Sequence, residues 1–432
     1  MIHVAVVGGG YAGMAAAATL AERGVPVTVF EAAKQLGGRA RRVEHRDAAL
    51  DNGLHILLGA YTETLRLIRL VNPSHARALQ QRPLEWYMHE AFHLVAARLP
   101  APFHLAFGLL RARGLTIAEK YSAVRFLSAL RAAQYTLAQD ISVELLLRRH
   151  RQSEKLKRVL WRPLCVAALN TPPAIASAQV FLHVLRDSLD GARAASDLVL
   201  ARVDLSALFP EPAASYIEQH GGAVLRSQRV TAIDPIAGGF EIEAGGGRAL
   251  FSHVICALSA HQVNAFLIGI TALADIAATI ERLRYQPIYS VWLQYPASVP
   301  LPAPMLGLDH PLVHWVFDRE QLCGQRGLIG AVISAEGGHQ ELSQDQIGLS
   351  VHQILKQSVR DLPDPVWTRV IAEKRATFAC VPGVQRPPQV TPLRNFYLAG
   401  DYTASDYPAT LESAVRSGIA CAQHILAQNR ER

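Results

Sequence analysis

The stretch VAVVGGGYAGMAAAATLAERGVPVTVFE, residues 4–31, decides the fold. Val4-Ala5-Val6-Val7 is a short β-branched apolar run with the length of a buried parallel strand. Gly8, Gly10 and Gly13 follow as G-x-G-x-x-G, with Tyr11 and Ala12 inside the motif. Residues 14–23 are alanine-rich and read as a helix closed by Gly24. A second apolar run, 27–30, ends on Glu31. The glycines allow a sharp turn and let backbone N–H groups approach a pyrophosphate, while the helix N-terminus presents free donors and a positive dipole end. Glu31 stands 18 residues after Gly13, where a carboxylate can accept from a ribose diol. Glycine spacing alone is weak, because glycine-rich turns are common. Strand, turn, helix, strand and acid in one register point to dinucleotide binding.

Next come Gly37-Gly38-Arg39 and Asp51-Asn52-Gly53-Leu54-His55. Adjacent glycines before an arginine suit a loop beside an anionic ligand, or a surface turn with basic decoration. Residues 61–208 read as mainly helical and unusually apolar. Within them, the basic amphipathic stretch 92–138 suits a membrane interface, the cover of an apolar cavity or ordinary core packing. Residues 161–182, broken by Pro172 and Pro173, read as a cavity wall or an interior helix pair.

From 208 the texture shifts to a helix and short alternating strands at 223–233, 239–244 and 249–251, then an apolar strand at 254–257. Gly245-Gly246-Gly247 lies between two alternating strands, which favours a hairpin over a phosphate loop. Residues 283–380 suggest a mixed sheet with one amphipathic helix at 344–360. The chain closes with a strand at 396–399, Gly400-Asp401, a polar loop, and a long helix beginning near Pro408 and Ala409. Gly-Asp at a strand end before a helix can hold the middle of a dinucleotide.

Both ends therefore predict one discontinuous nucleotide domain, 1–75, 209–262 and 381–432. A helical covering region at 76–208 and a substrate domain with mixed sheet at 263–380 would be inserted in it. The fold class is α/β, Rossmann-like.

With 432 residues, more than one domain is natural, and 50% hydrophobic against 18% charged residues excludes disorder. The longest apolar candidate, 99–110, carries two prolines and His104 and is about half a bilayer span. The N-terminus lacks a basic region or cleavage site, so a cytoplasmic protein is expected. Its five cysteines show no C-x-x-C pair or zinc spacing and read as free thiols in a reducing compartment. The net charge of +7 suits an anionic membrane surface, nucleic acid or solubility, and no nucleic-acid recognition pattern appears.

These motifs resemble those of the FAD-dependent amine oxidase and phytoene desaturase superfamily. The matching pieces are Gly8-x-Gly10-x-x-Gly13 with Glu31, Leu36-Gly37-Gly38-Arg39, and Ala399-Gly400-Asp401 with Pro408-Ala409-Thr410, Glu412-Ser413 and Ser417-Gly418. Within it, ALDNGLHILLGAY, WRPLCVAALNTPPAIASAQVFLHVLRDSL, ARVDLSALFPEPAASYIEQHGG and RATFACVPGVQRP are similar to the hydroxysqualene dehydroxylases, the squalene-associated flavoprotein desaturases of hopanoid biosynthesis.

The resemblance implies FAD as cofactor and hydroxysqualene as an isoprenoid substrate, reduced to squalene with loss of water in an apolar pocket. Arg39 would lie near the pyrophosphate, Asp401 would accept from the ribitol, and Val230 would hold adenine through its backbone. Gly53, His55, Ala409 and Thr410 would complete the flavin contacts. His55, with Asp51 nearby, is a candidate proton donor, or else a histidine bonded to backbone that shapes its turn.

Carotenoid desaturation or amine oxidation on the same frame, and a prenyl-lipid carrier, are the competing readings. Neither Cys380 nor Cys421 lies where an amine oxidase tethers its flavin. No second nucleotide fingerprint is present, and the sequence names no electron donor.

Overall fold

The computed structural model describes residues 2–430. The opening stretch forms strand Val4–Val7, helix Tyr11–Ala21 and strand Val27–Phe30. Every residue of that helix is buried, because its alanine faces let elements pack on all sides. The last helix, Leu411–Arg430, lies against it so closely that a Cβ added to Gly418 would stand 2.1 Å from the Ala12 carbonyl oxygen. First and last helices thus share one core.

Five parallel strands form the central sheet, in the order Ala223–Leu225, Val27–Phe30, Val4–Val7, His253–Cys256, Phe396–Leu398. These strands come from both ends of the chain and from its middle. Each is nearly continuously apolar, as a sheet covered on both faces requires.

A seven-stranded mixed sheet has the order Trp367–Phe378, Tyr285–Gln294, Leu328–Ser334, Trp315–Asp318, Met305–Gly307, Glu85–Met88, Phe92–Val95. Helix Gln344–Ser358 buries Ile347, Val351, Ile354 and Leu355 in the core against this sheet. Helices Ile117–Ala132, Arg162–Leu169 and Ala178–Leu185 pack around Phe126, Trp161 and Phe181.

Two expectations change. Residues 76–208 carry four strands, Leu79–Arg82, Glu85–Met88, Phe92–Val95 and Leu198–Ala201. A four-residue strand offers only two inward positions, here Trp86 and Met88, too few to separate a period of 2 from 3.6 in so apolar a stretch. The mixed sheet therefore takes its edge hairpin from outside 263–380. Residues 223–233 are two strands, not one: Ala223–Leu225 joins the parallel sheet, and Val230–Ile236 pairs with Gly239–Ala244 and then Gly247–Phe251 in a small antiparallel sheet. The break at 226–229 carries no glycine or proline. Of the two readings of 161–182, the interior helix pair is the one that forms: Arg162–Leu169 and Ala178–Leu185, whose Cys165, Leu169, Phe181 and Leu182 lie in the core.

Gly245 and Gly246, at φ +58° and +79°, turn the chain between two antiparallel strands, the conformation of a hairpin turn. The cysteines are all free, and four of the five are buried.

Candidate functional site

At the carboxyl end of strand Val4–Val7 the backbone leaves no room for side chains. Gly8 sits at φ +112°, and a Cβ at Gly13 would lie 2.0 Å from the Gly8 carbonyl oxygen. Gly10 opens the first helix without any side-chain cap, which leaves its first-turn N–H groups available to an anion. The second glycine turn lies directly on the first: Gly37 N donates to Gly9 O at 3.0 Å, and Gly10 and Gly37 form a parallel bridge. Gly37 and Gly38, at φ +118° and +60°, allow that approach. Tyr11 donates its hydroxyl to Leu205 O at 2.9 Å, and Ala12 is buried beneath the last helix.

Glu31 accepts from Gly9 N at 2.7 Å with one carboxylate oxygen and from Ala33 N at 2.8 Å with the other. Its own backbone carbonyl accepts from Gln228 N at 2.9 Å. That bond brings Val230, buried at the head of its strand, to the same end of the sheet.

Arg39 projects from the second glycine turn to Asp401, with Nη2 2.6 Å from Oδ1, and also donates to the Ala376 carbonyl of strand Trp367–Phe378. Burial disfavours its charge, but Asp401 outweighs this and holds the guanidinium above its ordinary range. Gly400 donates its N–H to Ser417 Oγ at 2.8 Å. Thr410 Oγ1 accepts from Ser413 N at 3.2 Å and starts the last helix, with Ala409 half-buried just before it. The helix N-terminus and the Arg39–Asp401 pair thus share one loop cluster with the glycine turns.

Asp51 and His55 line one small, partly open cavity of about 20 Å3, together with Leu54, Leu205, Phe317 and Arg319, which is room for a single water. Burial pushes the Asp51 carboxyl up to about 6, although Arg319 and a hydrogen bond from Leu205 N at 2.8 Å work against it. His55 donates Nδ1–H to the Gly53 carbonyl at 2.7 Å. Burial lowers its pKa, and the Arg39 charge lowers it further. The ring is therefore neutral near pH 7, with an Nε2 that accepts rather than donates. This is the geometry of a turn-shaping histidine.

Some structural roles were not legible beforehand. Glu412, fully buried, accepts from Glu63 N, Thr64 N and Thr64 Oγ1, and so caps helix Thr62–Val71 from the last helix. Ser206 accepts from Arg42 N and donates to Leu36 O, tying down the second glycine turn. No local pattern marks Ser206, whereas Glu412 belongs to the C-terminal motif.

The site fits a flavin dinucleotide on two counts. Side chains are excluded at Gly8 and Gly13, where a pyrophosphate would approach the backbone. The Tyr402 hydroxyl, beside Asp401, is buried with no hydrogen-bond partner among the described residues, and a polar atom of such a ligand would satisfy it. No group of three or more His, Cys, Asp or Glu among the described residues is placed to hold a metal.

Comparison with known proteins agrees with this geometry. Residues 11–426 match the flavin containing amine oxidoreductase family. A hydroxysqualene dehydroxylase of Sinorhizobium fredii (strain NBRC 101917 / NGR234) is 27% identical, with 99% of each chain covered. A chloroplastic/chromoplastic 15-cis-phytoene desaturase of Solanum lycopersicum is 26% identical over 98% of this chain and 78% of its own. Cyclohexylamine oxidase from Brevibacterium oxydans IH-35A shares the fold, with a TM-score of 0.72 at 18% identity and full coverage of both chains. With its two glycine turns closed on the Gly400-Asp401 loop, the chain belongs to the flavin-containing amine oxidoreductase family and is an FAD-dependent oxidoreductase.

Proposed function

We propose that this protein converts hydroxysqualene to squalene. One observation carries the reading: its similarity to a hydroxysqualene dehydroxylase runs end to end, over 99% of both chains, and so includes the middle of the chain as well as the cofactor frame. In the reaction a C–O bond breaks, a C–H bond forms, and the hydroxyl leaves as water after taking a proton. FAD bound there in its reduced state would supply the hydrogen and electron pair that replace the hydroxyl.

The chain's own residues have the remaining tasks. Gly8, Gly10, Gly13, Gly37 and Gly38 would hold the pyrophosphate, and Glu31 and Val230 the adenosine half. Arg39, Asp401, Ala409, Thr410 and Gly53 would hold the flavin half. Asp51 is the better proton donor to the leaving oxygen, since its acid form persists to about pH 6. The His55 Nδ1–H is engaged with Gly53 O. The small cavity beside Asp51, at about 20 Å3, would have to widen to admit a C30 chain, whose affinity would come from buried hydrocarbon at roughly 25 cal/mol per Å2. The reading takes the electron donor to be a separate molecule and the working place to be the cytoplasmic surface of a membrane, where such a substrate dissolves.

The test is anaerobic mixing of the reduced flavoprotein with hydroxysqualene. Return of the oxidised flavin spectrum together with formation of squalene supports the reading. No reoxidation, with bleaching of the oxidised protein by phytoene instead, would assign it to desaturation.

A further inference from the structure

We infer that helices Phe103–Arg111 and Ile117–Ala132 form a docking surface for an anionic lipid bilayer. Phe103, Phe107 and Leu110 recur at i, i+4 and i+7 on the first helix and are 65%, 42% and 60% exposed. On the second, Ile117 and Tyr121, one turn apart, are 87% and 69% exposed. The opposite faces are anchored in the protein through His104, Gly108 and Leu109 on one helix and Ala123, Phe126 and Leu130 on the other. Lys120 Nζ donates to Leu110 O at 2.8 Å and ties the two helices together. The three aromatic residues among the described exposed large hydrophobics, Phe103, Phe107 and Tyr121, all lie on this patch. Clustering of this kind marks a binding surface rather than scattered apolar residues, and aromatic rings with one wet edge suit a membrane interface.

The charges select the occupant. Residues 95–125 hold Arg98, Arg111, Arg113, Lys120 and Arg125 against a single acid, Glu119. Glu119 is occupied internally: its carboxylate accepts from Thr116 N and Thr116 Oγ1 in a capping box and from Ser153 Oγ. Arg131, further along, is paired with Asp190 at 3.1 Å, and Arg111 lies over the Phe107 ring at 5.7 Å, keeping a cation on the apolar stripe. A second copy of this surface would bring like charges together, whereas an anionic headgroup layer complements it. No helix among the described residues is long and apolar enough to cross a membrane, so the patch lies on the bilayer. This deepens the peripheral working place proposed above, yet it rests on exposed side chains and requires no particular substrate.

The test is flotation of the flavin-loaded protein with vesicles of phosphatidylcholine alone and of phosphatidylcholine mixed with phosphatidylglycerol, without substrate, so that this inference and the reaction can fail separately. The protein should float with the anionic vesicles, less so at high salt. Arg111→Glu with Arg113→Glu should lower the partition coefficient by at least ~25-fold, at about fivefold per removed charge. Phe103→Ser with Ile117→Ser should lower it at least tenfold. Ile268→Ser with Leu349→Ser, exposed apolar residues elsewhere, should leave it unchanged, and a retained flavin spectrum checks the folding of every variant. Equal binding by all variants, or no binding by the parent protein, would overturn the inference. So would a parent dimer in sedimentation that dissociates on the Phe103/Ile117 substitutions without any vesicle binding.

Discussion

Arg39 Nη2 stands 2.6 Å from Asp401 Oδ1, which joins the loop after the second strand to the loop before the last helix across 362 positions of chain. The Asp401 side chain is only 8% exposed, so removing the arginine leaves a nearly buried carboxylate without its partner. Arg39→Ala is expected to cost about 3 kcal/mol and to lower the flavin-to-protein ratio of the purified protein. Asp401→Asn should cost less, because the amide oxygen still accepts. Thermal unfolding and the visible spectrum measure both effects, and full flavin occupancy in Arg39→Ala would remove this pair from the cofactor site.

Gly13 and Gly24 provide a contrast between crowding and conformation. A Cβ at Gly13 meets Gly8 O at 2.0 Å, whereas at Gly24, with φ +69°, nothing lies within 4 Å. Gly24→Ala is expected to cost only about 1 kcal/mol for its left-handed backbone. Gly13→Ala must displace the turn itself and should abolish FAD retention. Parallel denaturant unfolding and flavin titration would show it, and similar behaviour of the two variants would contradict the crowding argument.

Asp51 ties stability to pH. Its folded pKa of about 6 lies above the ordinary 3.8, so between roughly pH 4 and pH 6 the folded protein keeps a proton that the unfolded chain has released. Stability attributable to this group therefore falls as pH rises through that window, by up to about 3 kcal/mol. Asp51→Asn, which keeps the acceptor for Leu205 N, should gain Tm relative to the parent between pH 4 and pH 7. If Asp51 also supplies the proton, single-turnover flavin reoxidation should slow above pH 6 in the parent protein and stay slow at all pH values in Asp51→Asn, while His55→Ala keeps the parent profile.

Glu412 is fully buried and holds two backbone N–H groups of helix Thr62–Val71 as well as Arg416. Glu412→Ala leaves those donors and the arginine unmatched and should cost about 3–5 kcal/mol. Glu412→Gln, which retains acceptor geometry but loses the charge, should recover part of this in thermal unfolding. Equal Tm for the parent and Glu412→Ala would refute the capping role.

The sequence by itself determined the two ends of this molecule. The glycine turn after Val4–Val7, the acid at Glu31 and the Gly400-Asp401 loop are each written within about thirty residues, in turn chemistry and periodicity that act locally. The hairpin at Gly245-Gly246 was legible for the same reason. Tertiary structure alone decided the rest. Strands Glu85–Met88 and Phe92–Val95 are too short for their own period to declare them, and they exist because Met305–Gly307 offers an edge. Asp401 becomes the partner of Arg39 only once the last strand takes its place beside His253–Cys256. The neutral state of His55 follows from burial and a neighbouring arginine, and desolvation depends on what packs around a residue, not on the residues next to it in the chain.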